Sequence, residues 1–389
     1  MKYKVGDICE VNKRSLKKND GYEIINYLDT ANLNQGRIDE IVSFDLLNEK
    51  APSRAKRIVQ VNDILISTVR PNQLHYGLIE NPVENLVVST GFTVLSPDLT
   101  KVDPFYLYSM LTLQSTTEYL QSIAEDSTSA YPAVKPNVIS NLSFDFPELS
   151  IQRKIGTFFK NLFSKIELNN QMIATLEELA ATLFKRWFVD FEFPDENGNP
   201  YKSSGGKMVD SELGEIPEGW STTTLGSQVS FEYGKSLTKS QRNFGTIPVY
   251  GSNGIVDYHD KELVSGPGII IGRKGTVGTV NFSSKDFFPI DTTFWVKILT
   301  DTKPINYFYF LLKNLNLDNL TSDSAVPGLN RNTALRTEIV VPTERIINHF
   351  ERTVETFRYL SDEIEDNIGL LGDVRDSLLP KILSGEIEV

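Results

Sequence analysis

At 389 residues the chain is long enough for two domains and their connections. Its 40% apolar and 23% charged content is that of an ordinary globular protein, and its single cysteine, Cys9, excludes an internal disulfide and fits a reducing compartment. No apolar run approaches the ~20 residues that cross a bilayer, the start MKYKVGDICE has no hydrophobic signal segment, and a cytoplasmic protein is expected; the net charge of −12 argues mildly against nucleic-acid binding, which usually shows a basic footprint.

Residues 1–149 are expected to form a first domain. The runs ILIST, VVSTGFTVL and LSFDF are short, β-branched or aromatic, and bounded by Gly, Pro, Asn and Asp, so they predict strands. One short apolar helix follows Asp103. DNA contact would need Arg or Lys for phosphate and guanine, and Asn or Gln for adenine. The turn after ILIST offers Arg70, Asn72, Gln73 and Tyr76, and the loop SAYPAVKPN offers Tyr131 and Lys135. The clusters Lys13, Arg14, Lys17, Lys18 and Arg54, Lys56, Arg57 are candidate phosphate contacts.

Residues 150–190 predict one long helix, with no proline and a single Gly156 near its start. Apolar residues recur at Ile155, Phe158, Leu162, Ile166, Ile173, Leu176, Ala180, Leu183 and Trp187, and from Ile166 the spacing alternates three and four, as in a coiled-coil seam. Asn169 occupies one seam position, where a polar residue fixes register at a cost in stability. The Gly-, Ser- and Pro-rich stretch 191–212 reads as a linker.

Residues 213–342 repeat the first domain piece by piece. A strand GIIIG stands where ILIST stood, a short helix begins at Ile305, and Pro342 matches Pro147 at the entry to a second long helix. The matching loops carry Arg273 and Lys274 in GRKGTVG and Asn330 and Arg331 in PGLNRN, with Asn253, Tyr250 and Ser252 as weaker additions. Arg70 and Arg273 are taken to occupy matching places. In the final segment, 343–389, Phe350, Phe357, Ile364, Leu371 and Leu378 fall every seventh residue, with Leu360, Asn367 and Val374 three further on. Two such helices in one chain are best explained by antiparallel pairing with each other, giving a pseudo-two-fold molecule with the helix pair as spacer. The fold class expected is α+β, two β-rich domains in tandem separated by two long antiparallel coiled-coil helices.

No catalytic constellation emerges. There is no phosphate-binding G-x-x-x-x-G-K-[ST] loop and no Asn/Asp-Pro-Pro-aromatic run of the amino-methyltransferase type. GIIIGRKGTVG lacks the downstream acid of a dinucleotide site, and His75, His259 and His349 are too scattered for a metal.

The repeat and the phrases LFKRWFVDFEF (183–193), LGEIPEGW (213–220) and SLLPKILSGEI (377–387) resemble the specificity subunit of type I restriction–modification systems. The entries DFPELSIQRKI and IVVPTERIINHF are similar too. The resemblance implies a non-catalytic subunit whose two target-recognition domains each read half of a split site in double-stranded DNA. It further implies that the long helices dock two DNA-adenine methyltransferase subunits, with a restriction (translocase and nuclease) subunit completing the complex. S-adenosylmethionine, ATP and Mg would then sit on those partners and no cofactor on this chain. By composition the second domain is neutral and the first mildly acidic, so the excess negative charge falls largely in the helices, linker and tail. The rival expectations are a self-sufficient enzyme, against which the missing motifs stand, and a protein-binding scaffold that does not touch DNA.

Overall fold

A computed structural model describes residues 1–17, 20–126, 132–320, 328–383 and 386–387. The chain divides into two compact units, residues 1–169 with 367–389 and residues 170–366, so each long helix contributes to both.

In the first unit, Ile64–Ser67 is buried at every position, which a strand covered on both faces requires. It lies in an antiparallel sheet of order Cys9–Val11, Phe92–Pro97, Ile64–Ser67, Tyr76–Leu78. A second sheet runs Val42–Asp45, Ile24–Leu28, Leu86–Ser89, Ala55–Ile58, with Leu86–Ser89 parallel to Ile24–Leu28. Lys2–Lys4 pairs with Ser143–Asp145 and closes the domain onto the start of the first long helix.

The second unit reproduces this plan. Its antiparallel sheet has the order Val229–Tyr233, Thr293–Ile298, Gly268–Gly272, Val280–Ser283. A smaller sheet orders Gly254–His259, Ile247–Gly251 and Phe288–Pro289, the last parallel to its neighbour. Ser221–Thr224 pairs with Glu338–Val341 before the second long helix. The tandem α+β repeat expected from the sequence is therefore present at the level of strand order and register.

The short helices show the same plan built from different residues. Asp103 caps Pro104–Leu111 by accepting the Tyr106 N–H at 3.0 Å. Gly156 of the long helix makes room for that carboxylate, since a Cβ there would stand 2.1 Å from Asp103 Oδ1. In the second unit Pro304 precedes Ile305–Asn314 and offers no cap. There Glu351 of the second long helix accepts the N–H groups of Tyr307 at 2.6 Å and Asn306 at 3.3 Å. Glu351 lies nine residues after Pro342, as Gly156 lies nine after Pro147.

The first long helix spans Leu149–Phe184 and continues as a wider turn over Lys185–Val189; the second spans Glu344–Leu383. In the first unit Ile155, Phe159 and Leu162 share a core with Leu379 and Ile382, and Asn169 Nδ2 donates to Asn367 Oδ1 at 3.2 Å. In the second unit Phe184, Trp187 and Phe188 pack with Ile346, Phe350 and Val354. The start of one helix thus meets the end of the other within each unit. Ile166, Ile173, Leu176, Phe357, Ile364 and Leu371 are half-buried.

Three of the recurring apolar positions differ from expectation. Phe159 is fully buried while Phe158 is 37% exposed, Phe184 is buried more deeply than Leu183, and Val354 is fully buried while Leu360 is 44% exposed. At Ile155 to Phe159, Ala180 to Phe184 and Phe350 to Val354 the step is four rather than three. Near the domains each helix covers a β-rich core, which selects a broad stripe of period 3.6 over a narrow seam. The stretch 191–212, expected as a linker, is folded onto the second unit. Phe193 stacks on Tyr201 at 4.5 Å and on Trp220 at 5.1 Å, and Met208–Ser211 pairs with Gly214–Pro217. Its glycines and serines make tight turns around those rings.

Candidate nucleic-acid interface

In the second unit three loops are tied to one place. Leaving the buried strand Gly268–Gly272, Arg273 and Lys274 both donate backbone N–H groups to the Thr292 carbonyl, at 2.9 and 3.1 Å. The Ser252 hydroxyl lies against the carbonyls of Thr292 (3.0 Å) and Lys274. The Arg273 carbonyl accepts the Leu329 N–H at 3.0 Å, and Lys274 bridges to Gly328. Asn253, in the hairpin turn just before Gly254–His259, is exposed beside this junction.

Two guanidinium groups converge on one ring there. Arg273 lies 4.9 Å from the Tyr233 centroid and 5.7 Å from Phe294, and Arg331 lies 5.7 Å from Tyr233. The Arg273 guanidinium also donates through Nη1 to the Asp291 carbonyl at 3.1 Å. Tyr233 ends its strand with half of its surface in solvent. Sequence reasoning missed Tyr233; the available signal was an aromatic residue at an exposed strand end. Asn330 is exposed, but its Oδ1 is engaged as the cap of Arg331–Leu335, accepting two N–H groups at 3.1 Å, so only its amide nitrogen can face a base. Tyr250 is withdrawn from the surface, buried with its hydroxyl on the Phe282 carbonyl at 3.3 Å.

The first unit has the same junction. Val69 bridges to Ala133, Val134 donates to the Thr68 carbonyl at 2.8 Å, and Arg70 N–H donates to the Pro132 carbonyl at 3.0 Å. Arg70 adopts a left-handed conformation, φ +47°, ahead of the turn Pro71–Gln73. Arg70, Asn72, Gln73 and Lys135 are exposed on this edge, with the Asn72 N–H on Gln121 Oε1 at 3.2 Å. Tyr131 and Lys18 lie outside the described residues.

Other candidates in this unit have structural occupations. Tyr76 is half-buried edge-on to Tyr108, with burial raising its hydroxyl pKa, so it belongs to the core. Arg14 pairs with the buried Asp63 at 2.5 Å, and that carboxylate also accepts from Ser96 and from the Gln60 N–H. Lys13 pairs with Glu10. Arg57 is half-buried with Nε unpartnered among the described residues, whereas Arg54, against Gly91, and Lys17 and Lys56 remain exposed.

Strand registers correct one equivalence. Ser67 pairs with Phe92, and Gly272 with Thr293, at the same rung of matching sheets. Lys135 and Asn330 each occupy the N-cap position of the matching short helix. Counted from these anchors, Arg273 corresponds to Thr68 and Arg70 to Gly275. The two arginines share an edge but not a position.

The remaining chemistry-bearing residues are structural. Burial, followed by Asp63 and Asp98, pushes the Cys9 thiol up to about 12, which leaves it a thiol. His75 Nδ1 lies 2.8 Å from the Leu33 carbonyl, His259 accepts the Asn243 N–H, and His349 packs edge-on against Trp187. Among the described residues no three His, Cys, Asp or Glu could hold a metal ion, and no helix is long and apolar enough to cross a membrane.

The family described as type I restriction modification DNA specificity domain matches residues 1–178 and 217–365. The chain is 27% identical to the Haemophilus influenzae type I restriction enzyme HindI specificity subunit, over 99% of each chain. It is 24% identical to the Methanocaldococcus jannaschii MjaIX specificity subunit, over 88% of this chain and 82% of that one. A crystal structure of the S subunit of a type I restriction-modification system from M. genitalium shares the fold at a TM-score of 0.54 and 17% identity, covering 98% of this chain and 95% of the other.

Proposed function

The chain belongs to the type I restriction-modification DNA specificity family, and from that premise we propose that its two domains, 1–149 and 213–342, each read one half of a split target in double-stranded DNA. One observation carries this. Both domains build the same edge, a strand-to-loop exit bridged to the segment that leads into a short helix (Val69 to Ala133, Lys274 to Gly328), yet they furnish it with different side chains. Equal frames with unequal surfaces suit two unlike half-sites, and therefore an asymmetric target. With half-sites about one duplex turn (~10 bp) apart and ~3–5 bp read at each, about six base pairs go unread between them.

The chain itself performs no chemistry in this scheme. The long helices, 150–190 and 343–389, dock two DNA-adenine methyltransferase subunits, and a translocase–nuclease subunit joins them in the cytoplasm. S-adenosylmethionine, ATP and Mg act on those partners. The test is a genome-wide map of N6-methyladenine with and without the gene. A split motif that vanishes on deletion supports the assignment; a contiguous or palindromic motif overturns it.

A further inference from the structure

We infer that Arg273 and Arg331, gathered on Tyr233, form a paired guanidinium reader of guanine in the half-site of the second domain, with Tyr233 as its positioning residue. The inference rests on the half-site reading above and names what that edge recognises.

Three observations carry it. First, both guanidiniums lie within 6 Å of one exposed ring, although they arrive from different loops. A ring face holds a planar guanidinium flat and limits its rotamers, so less freedom is lost when it meets a base edge. Second, among the described residues the pair has no counter-ion. Arg14, Arg37, Arg242, Arg358 and Arg375 all pair with carboxylates, whereas among the described residues no carboxylate lies within ion-pair distance of Arg273, Lys274 or Arg331. In a chain of net charge −12, two like charges held on one ring create a local demand for acceptors. Third, the Arg331 Nε is buried and has no hydrogen-bond partner among the described residues, so this guanidinium is not tied into a protein network there. In the major groove the base edge presenting two acceptors side by side is that of guanine, O6 and N7, which matches a guanidinium fork.

The experiment co-expresses the full chain with its methyltransferase and maps the methylated motif for wild type, Arg273→Lys, Arg331→Lys, Tyr233→Leu and Tyr233→Trp. Wild type is expected to specify at least one G·C pair in the half-site that these variants affect. Each Lys variant keeps the charge but loses the fork, and discrimination at one G·C pair should fall about tenfold or more. Tyr233→Leu should relax the same half-site while Tyr233→Trp preserves it, a rescue that a purely structural role would not show; thermal melting of each variant guards against misfolding. Unchanged motifs in both Lys variants, or uniform loss of methylation at every site, would mean phosphate contacts and overturn the inference alone. A wild type with no split motif would overturn the half-site reading and the guanine reader with it.

Discussion

Arg14 and Arg273 have the same side chain and opposite fates. Arg14 is bound to the buried Asp63, whereas Arg273 has a ring and a carbonyl but, among the described residues, no carboxylate. Sequence could show only that both stand in polar loops; whether a carboxylate from another strand reaches the guanidinium depends on long-range pairing. Arg14→Ala should therefore destabilise the protein by about 2 kcal/mol, measured by urea unfolding, because it strips a buried carboxylate of its cation. It should leave the methylated motif unchanged. Cys9 gives a second expectation at this scale. With its thiol pushed up to about 12, the folded protein should resist iodoacetamide at pH 8, and mass spectrometry should find alkylation only after denaturation.

The helices are governed by what their faces meet. Their existence was legible in the heptad spacing, and Asn169 and Asn367 stood out as polar residues in two apolar seams; that the two side chains meet was not. The shift to Phe159, Phe184 and Val354 was not legible, since a four-residue step becomes preferable only once a β-rich core is known to lie alongside. The short helices could be seen in the sequence, but not the exchange of cap acids. Gly156→Ala should cost about 1–3 kcal/mol by overpacking Asp103, and adding Asp103→Ser should recover part of the loss in denaturant titration. Two carboxylates on the long helices titrate in opposite senses. Burial alone would raise the pKa of Glu177, but Arg358 at 2.9 Å, the Tyr309 hydroxyl at 2.8 Å and Lys313 at 3.0 Å outweigh it and hold it below 4.5. Its contribution is present above pH 4.5 and is lost as pH falls through the depressed value. Burial holds Glu351 above 4.5 despite its backbone donors, so its contribution is greatest below pH 4.5 and declines as pH rises toward the raised value. Urea midpoints from about pH 2.5 to 7 should show Glu177→Gln flattening the slope below pH 4.5 and Glu351→Gln removing the opposing slope above it.

Across the whole molecule the charge is unevenly divided. Residues 150–190 carry six Lys and Arg against four Asp and Glu, whereas residues 343–389 carry five against eleven, so the excess acidity of the helices belongs to the second alone. An acidic helix is a poor DNA face, and the isolated chain should bind its target with a Kd no tighter than about 1 µM at physiological salt, tightening only when the methyltransferase is added. Gel-shift titrations with and without that partner check this, and tight binding by the chain alone would contradict it. The two-fold repeat was legible because the pieces recur in order; the offset between Arg70 and Arg273 was not, because loops of unequal composition align only through strand register. The exchanged cap acids also bear on inheritance. Two halves built on one plan invite recombination between their coding segments. A crossover falling between a short helix and the long helix that follows would join Asp103 to Glu351, two carboxylates competing for one helix end, while its reciprocal product would join Pro304 to Gly156 and have none. Viable exchanges should therefore carry the short helix and the first turns of the long helix together, and on the proposed half-site reading the smallest heritable unit of specificity would be a domain with the beginning of its own long helix.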